Sequence, residues 1–314
     1  MKKKKAALFI DGQNMLPFDF CSMNNILEKY DVIITYGPFK TGFAGYLLKK
    51  LTRAKLIIEV PGNPKKSFSF ETKDPSIINK LKTKVGDLLV PFIINEADHI
   101  KLLYPTQLNG YKDIEKKQIS IFHDFVPISA IKPSEESDKY ILFLGFPWYL
   151  KGVDILIKAF KLISNEFPEY RLKIVGYCPD KSYFQKLAEG NNKIELCDPV
   201  FHHEAMKLMS RCTLFVLPSR TEAMGRVLLE AMACKKPPVI RDIPVYKEWF
   251  KDGENCIKGK TTEDFARAIE KLSTDSELRK KISNNAYSTA KLHDISNTID
   301  ALIKMYEALL SNAE

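Results

Sequence analysis

The chain has 314 residues, 45% of them hydrophobic, and a net charge of +9, enough for two modest domains with real cores. Its six cysteines are scattered without a C-x-x-C pair, which argues for reduced, mostly buried thiols in a cytoplasmic protein rather than a disulfide framework. No cysteine or carboxylate follows His202-His203 at metal-ligand spacing, so no metal site is expected, and no apolar run approaches membrane-spanning length.

In chain order, Lys2 to Lys5 lead into an apolar run at 6–10 that stops at Asp11. That is too short for the core of a signal peptide and reads as a first strand. Further strands are predicted at 32–35, 56–60, 99–103, 119–122, 140–144, 172–175, 194–196, 213–217 and 238–240. Helical patterns fall between most of them, as at 43–52, 74–95, 153–166 and 204–209. This alternation predicts an α/β fold with parallel sheets. The polar, proline-containing stretch 128–138 reads as a linker. It sets two doubly wound domains, 1–135 and 136–290, followed by a C-terminal segment 291–314. The tail from Thr261 is helical by pattern, with Phe265, Ala268, Ile269 and Leu272 on one face and a last helix near 294–310.

Charge is uneven, since residues 1–135 carry +7 of the total. The excess lies at Lys49-Lys50, Arg53, Lys55, Lys65-Lys66, Lys80, Lys82 and Lys84. Two readings stand: attraction to an anionic membrane face or phosphorylated acceptor, or a solvated lysine-rich surface. Nucleic acid is not expected, because no aromatic-basic platform or recognition helix accompanies the charge.

The most informative stretch is Leu217-Pro-Ser-Arg-Thr-Glu222-Ala-Met-Gly225-Arg-Val-Leu-Leu-Glu230-Ala-Met-Ala-Cys234. An apolar strand meets a Pro-Ser break, a short loop carries Glu222, and Gly225 opens an apolar helix. Glu230 sits inside that helix among Leu228, Leu229, Ala231 and Met232. A carboxylate in such company is costly to bury unless something pairs with it. Strand, loop and helix N-terminus is also a geometry that holds anions. The plain alternative is a surface ion pair between Arg226 and Glu230, four residues apart.

This stretch resembles the Glu-x7-Glu motif of retaining family-4 glycosyltransferases of the GT-B fold, with Glu222 and Glu230 at the two Glu positions. Phe143-Leu-Gly145-Phe-Pro-Trp-Tyr-Leu-Lys151-Gly152-Val-Asp154 is similar to that family's opening strand, loop and helix of the nucleotide-binding domain. Leu172-Lys-Ile-Val-Gly176 and Asp252-Gly253-Glu-Asn255 follow in family order. The resemblance implies two Rossmann-like domains facing a cleft, with the acceptor side in the first and the sugar nucleotide in the second. It also implies a C-terminal helix that returns to the first domain. In open α/β sheets, ligands bind at the carboxyl ends of strands. The loops at 145–152, 176–179, 198–201 and 222–225 all follow strands and are expected to converge on one edge.

As the resemblance implies, the chain moves a sugar from a nucleotide-sugar donor to a glycan, lipid-linked or small acceptor with retention. No metal or other cofactor takes part, and peripheral contact with the inner membrane face fits the basic first half. Lys151 would neutralise the leaving diphosphate, and Glu222 would orient the hydroxyls of the transferred sugar. Glu230 would accept from the ribose hydroxyls. Gly145, Gly176, Met224 and Gly225 would bring backbone close to the donor, and Arg226 would offer a second cation. Four departures stand out. Phe146 occupies a position where the family usually has Arg. Pro61 stands where a strand and loop often present a histidine, and neither His99 nor His123 obviously replaces it. Lys236 stands where a glycine commonly follows the Ala-Cys of the helix end. Asp11-Gly-Gln-Asn14 replaces the usual Gly-rich loop, so the first domain is expected to be shortened.

The alternative is a non-catalytic nucleotide-sugar-binding or scaffold subunit of a glycan-assembly complex. A glycosidase pair suits Glu222 and Glu230 poorly, since its carboxylates must flank the bond at set separations. A nicotinamide dehydrogenase lacks its G-x-G-x-x-G.

Overall fold

Aliphatic and β-branched runs become eleven parallel strands in two sheets of the computed structural model, among the described residues 7–10, 30–64, 77–111, 114, 118–134 and 136–311. The residues up to His123 and from Thr298 onward form one unit, and Asp124–Asn297 forms the other. Expectations at Ala6, 11–14, Cys21, Lys65-Lys66, 74–76 and Glu135, and on the Lys82 side chain, lie outside the described residues.

In the first unit β1 (Ala7–Ile10), β2 (Val32–Tyr36), β3 (Lys55–Val60), β4 (His99–Leu102) and β5 (Gln118–Ile121) lie side by side in chain order. Helices α1 (Lys40–Thr52) and α2 (Ile77–Glu96) follow β2 and β3. Consecutive parallel strands joined by right-handed crossovers put their helices on one face. Ile33, Leu56, Ile58 and Val60 accordingly pack with Leu48, Val90 and Ile93 of those helices. The packing is close: a Cβ on Gly45 would fall 2.4 Å from Thr35 Cγ2. The opposite face is covered by the last helix, α9 (Ile299–Ser311), whose Met305, Tyr306 and Leu309 pack on Val32, Ile34 and Ile57. Tyr306 also donates to Glu59 Oε1 at 2.7 Å. His99 is a structural residue of this sheet, buried with its Nε2 3.0 Å from Ser120 Oγ.

The second unit has the order β11-β10-β9-β6-β7-β8. Its strands are β6 (Tyr140–Leu144), β7 (Arg171–Val175), β8 (Ile194–Cys197), β9 (Leu214–Leu217), β10 (Pro238–Arg241) and β11 (Ile257–Gly259). The chain runs outward from β6 to β8, then returns to pair β9 against β6. That reversal is a topological switch point, where the loops leaving two adjacent strands part and open a crevice. Helices α3 (Val153–Ile163), α4 (Ser182–Ala188), α5 (His202–Arg211), α6 (Arg226–Ala233), α7 (Thr262–Thr274) and α8 (Ser276–Leu292) clothe the sheet. β6 and β9 are buried along their whole length, as central parallel strands must be.

Three expectations are corrected. The division falls between His123 and Asp124, not at 135. Val126 is fully buried in the second core and donates its N–H to the His293 carbonyl at 2.9 Å. Ile128 and Ile131 pack on that core too, so 128–138 is part of the second unit rather than a free linker. The return to the first unit begins at Thr298, not 291, because α8 runs to Leu292 within the second unit. Strand β11 escaped prediction, being three residues at a sheet edge that include a lysine and a glycine. The first-unit charge cluster is partly neutralised: Lys49 lies 2.8 Å from Asp98, Lys50 3.1 Å from Glu96 and Lys55 3.9 Å from Asp98.

Candidate functional site

Two loops part at the switch point. One runs from Gly145 to Gly152 after β6, the other from Pro218 to Gly225 after β9. Gly152 caps α3 in the left-handed region at φ 75°, and a Cβ there would stand 2.2 Å from the Pro218 carbonyl oxygen. Glycine alone permits that approach. It brings Lys151 against the second loop, where its Nζ lies 2.6 Å from Glu222 Oε1. Ser219 Oγ donates to the same oxygen at 2.7 Å. The Glu222 side chain is 5% exposed and that of Lys151 18%. Glu222 and Lys151, predicted separately, therefore form one buried cluster.

A second pair crosses the same loops. Arg220 donates to both carboxylate oxygens of Asp154, at 2.9 and 2.8 Å, and to the Tyr149 carbonyl. Its guanidinium carbon lies 4.0 Å from the centre of the Tyr149 ring, and its backbone N–H bonds the Leu150 carbonyl at 2.8 Å. Forked geometry of this kind is what arginine offers and lysine does not. Asp154 and Arg220 lie within the matched motifs, but their partnership depends on a crossing 66 residues apart in the chain that spacing cannot show.

Glu230 is buried in the second turn of α6. Its Oε1 lies 3.1 Å from His202 Nε2 and 3.6 Å from Arg226 Nε. A carboxylate only accepts, so Nε2 carries the proton in that contact. The i,i+4 pair with Arg226 is therefore present, and His202, at the start of α5, is a second and closer partner. No described hydrogen bond or ion pair joins this cluster to that of Glu222.

Gly145 and Gly176 end β6 and β7 side by side; a Cβ on Gly176 would meet the Gly145 carbonyl oxygen at 2.1 Å. Phe146, in the place of the usual Arg, is exposed and turns toward Tyr177, ring centres 5.5 Å apart. Met224 is buried. Gly225 caps α6 at φ 81°, and the leading N–H groups of a helix have no partner within it. Beneath Gly225 lies the hydroxyl of Tyr246, 3.3 Å from where a Cβ would be. That hydroxyl is buried without a hydrogen-bond partner among the described residues. Burial, then the charge of Glu222, pushes its pKa well above the ordinary value. Sequence reasoning did not single out Tyr246, since it reaches the site from a separate turn, Pro244–Tyr246. Arg241, at the end of β10, has a buried Nη1 without a described partner, and burial with nearby Arg220 lowers its pKa.

The glycine position at the end of α6 needs correcting. Left-handed backbone falls at Lys235, φ 55°, one residue before Lys236. In the first unit Pro61 follows β3 and lines a cavity of about 290 Å³ with Tyr36, Phe39, Thr41 and Pro64. Among the described residues no group of three or more His, Cys, Asp or Glu could hold a metal ion.

Comparison with known proteins adds kinship to this geometry. The family profile described as glycosyl transferases group 1 matches residues 126–289, which covers both loops and both glutamates. An uncharacterised glycosyltransferase of Methanocaldococcus jannaschii is 27% identical over 294 residues, 91% of this chain and 78% of that protein. The O-antigen chain mannosyltransferase of Salmonella typhimurium is 29% identical over 51% of this chain and 46% of its own length. Among solved structures, sucrose-phosphate synthase from Thermosynechococcus elongatus superposes with a TM-score of 0.75 at 16% identity, over 90% of this chain and 74% of that one. The Anabaena protein HepE, solved with UDP and glucose, superposes at 0.73 and 18% identity, over 92% and 80%. At these identities the superpositions speak to the GT-B fold.

Proposed function

This chain belongs to the glycosyl transferases group 1, and from that premise we propose that it transfers a hexosyl group from a nucleotide-sugar donor with retention, without a metal. The observation that carries the reading is the Lys151–Glu222 contact of 2.6 Å across the switch-point loops, with Glu230 buried one helix turn beyond. In the reaction the bond from the anomeric carbon to the diphosphate oxygen breaks. The acceptor oxygen bonds that carbon on the same face, and the acceptor proton passes to the departing phosphate oxygen. Negative charge grows on the diphosphate, where fixed positive groups lower the barrier most. The Lys151 ammonium has three donors, of which Glu222 takes one. The N-terminus of α6 adds its partial positive charge. Glu222, held by Lys151 and Ser219, orients sugar hydroxyls, and Glu230 accepts from the ribose diol.

The acceptor is a glycan, a lipid-linked sugar or a small hydroxyl compound. Contact with an anionic membrane is supported by α2, where Ile77, Leu81, Leu88 and Phe92 are 84, 60, 76 and 44% exposed along one face beside Lys80 and Lys84. Such a face suits a helix lying in the interface, and no described helix is long and apolar enough to cross a membrane. Buried thiols at Cys212, Cys234 and Cys256 suit a cytoplasmic location.

The test is a panel of nucleotide sugars assayed for binding and for nucleotide release, with product configuration read by NMR and chelator added in a parallel series. Release with a retained anomer, unaffected by chelator, is expected. Binding without release across candidate acceptors indicates a non-catalytic subunit instead.

A further inference from the structure

The opposite, amino-terminal edge of the second sheet holds a cavity of about 670 Å³, within the range of small-molecule sites. It lies where β6, β9 and β10 begin, bounded by Ser137, Thr213 and Pro237, with the end of α6 on one side and α8 on the other. Four cations line it, Lys235, Lys236, Arg279 and Lys280, and no described carboxylate does.

The Lys236 residue is 5% exposed. Its Nζ donates to the Ser134 carbonyl at 3.0 Å, and no described carboxylate lies within ion-pair distance of it. The carboxylate whose charge reaches it, Asp138, is held by Arg211 at 2.5 Å, and Glu136 is held by the same arginine at 3.0 Å. A buried ammonium without a counter-ion is expensive. Burial accordingly lowers its pKa. Lys235 supplies an independent anomaly: a non-glycine residue held in left-handed backbone, φ 55°, a conformation that L residues with a Cβ disfavour. Its ammonium lies over the Tyr287 ring at 5.3 Å. Among the described residues Arg279 bonds through Nη1 alone, to the carbonyls of Leu272 at 2.6 Å and Ser273 at 3.2 Å. Its Nε and Nη2 have no described partner, and Lys280 makes no described hydrogen bond or ion pair. The α8 residues facing the cavity, Ser276, Arg279, Lys280, Ser283, Asn284 and Tyr287, repeat at helical spacing. That face carries polar side chains, with Arg279, Ser283 and Tyr287 half-buried and Ser276, Lys280 and Asn284 exposed.

We propose that this cavity binds a soluble phosphate-bearing small molecule, its phosphate held by Lys236, Arg279 and Lys280. The site lies at the end of α6 opposite Gly225, and none of Lys151, Glu222, Gly225 and Glu230 lines it. A doubly charged anion answers both the surplus of cations and the missing counter-ion of Lys236.

Calorimetric titration of the full chain with inorganic phosphate and pyrophosphate tests this. Lys151→Ala is used as background to remove diphosphate binding on the donor side. One saturable site is expected there, weakened at least 10-fold by Lys236→Met and by the double change Arg279→Gln/Lys280→Gln. Without phosphate, Lys236→Met should melt at the same or a higher temperature than its parent, because it removes an uncompensated buried charge. It should also lose the phosphate-induced rise in Tm. No saturable binding in the Lys151→Ala background overturns the proposal. So does unchanged affinity in both variants, or a lowered Tm in Lys236→Met with the phosphate-induced rise intact. Binding of phosphatidylglycerol vesicles that depends on Lys236, with no binding of free phosphate, also overturns it in favour of a lipid headgroup.

Discussion

Two ion pairs cross the same two loops, and they are built differently. Asp154–Arg220 is closed: both carboxylate oxygens are engaged, and the guanidinium is further spent on the Tyr149 carbonyl and ring. Lys151–Glu222 is open: one contact of 2.6 Å, with ammonium donors to spare and Glu222 shared with Ser219. Both are mostly buried: side-chain exposures are 8% for Asp154 and 14% for Arg220, against 18% for Lys151 and 5% for Glu222. Burial by itself therefore does not distinguish the two pairs. The carboxylates do: both oxygens of Asp154 are engaged, whereas Glu222 is bonded through Oε1 alone and its Oε2 has no described partner. The closed pair ties the two loops together, and on the function proposed above the open pair is the one that meets the donor.

The comparison can be broken at its root by Gly152→Ala. The added Cβ would meet the Pro218 carbonyl at 2.2 Å, so the loops must separate and both pairs suffer. Activity should fall more than about 100-fold and stability by about 3 kcal/mol, read from turnover and urea unfolding of the same preparation. Asp154→Ala separates the two roles. It leaves a buried guanidinium uncompensated and should cost about 3–5 kcal/mol in unfolding free energy, whereas a small cost would show the closed pair to be dispensable. Glu222→Gln should do the reverse, lowering kcat by about 100–1,000-fold while the unfolding midpoint stays within about 2 °C. A large drop in midpoint would make Glu222 structural.

Glu230→Ala should weaken nucleotide binding about 10-fold, one lost charged hydrogen bond. Arg226→Ala should change it far less, since that side chain is 58% exposed. Equal losses would return Glu230 to a surface pair. At neutral pH the last effect vanishes, and it grows only in alkali. Burial pushes the Cys234 and Cys256 thiols up to about 12, while unfolded thiols ionise near about 8.5. The unfolded chain then binds fewer protons than the native one, so stability should decline as pH rises from about 8.5 towards 12. Denaturant midpoints at pH 7.5, 9 and 10 check this, and the double change Cys234→Ala/Cys256→Ala should flatten the slope.

Much of this was legible in the chain. Runs such as Tyr140–Leu144 and Leu214–Leu217 announce buried parallel strands by unbroken hydrophobicity. Glu222, Gly225 and Glu230 announce a loop-to-helix site by being polar or glycine where the pattern wants apolar. Arg220 and Tyr246 were not legible as site residues: one looks like any loop arginine, and the other comes from a separate turn. Val126 misled the domain boundary, because a lone valine before a polar stretch gives no sign that it will bridge to Asp294.

The order of apolar runs and the local turn residues determined the α/β class, the positions of every strand but β11 and the loop that carries the glutamates, because strand, helix and glycine preferences act over a few residues. Tertiary structure alone decided that Lys151 meets Glu222, that Arg220 closes on Asp154 and that four cations gather around one cavity. Those contacts join residues far apart in the chain. Their distances follow from the strand order and from two backbones touching at Gly152, which no local pattern encodes.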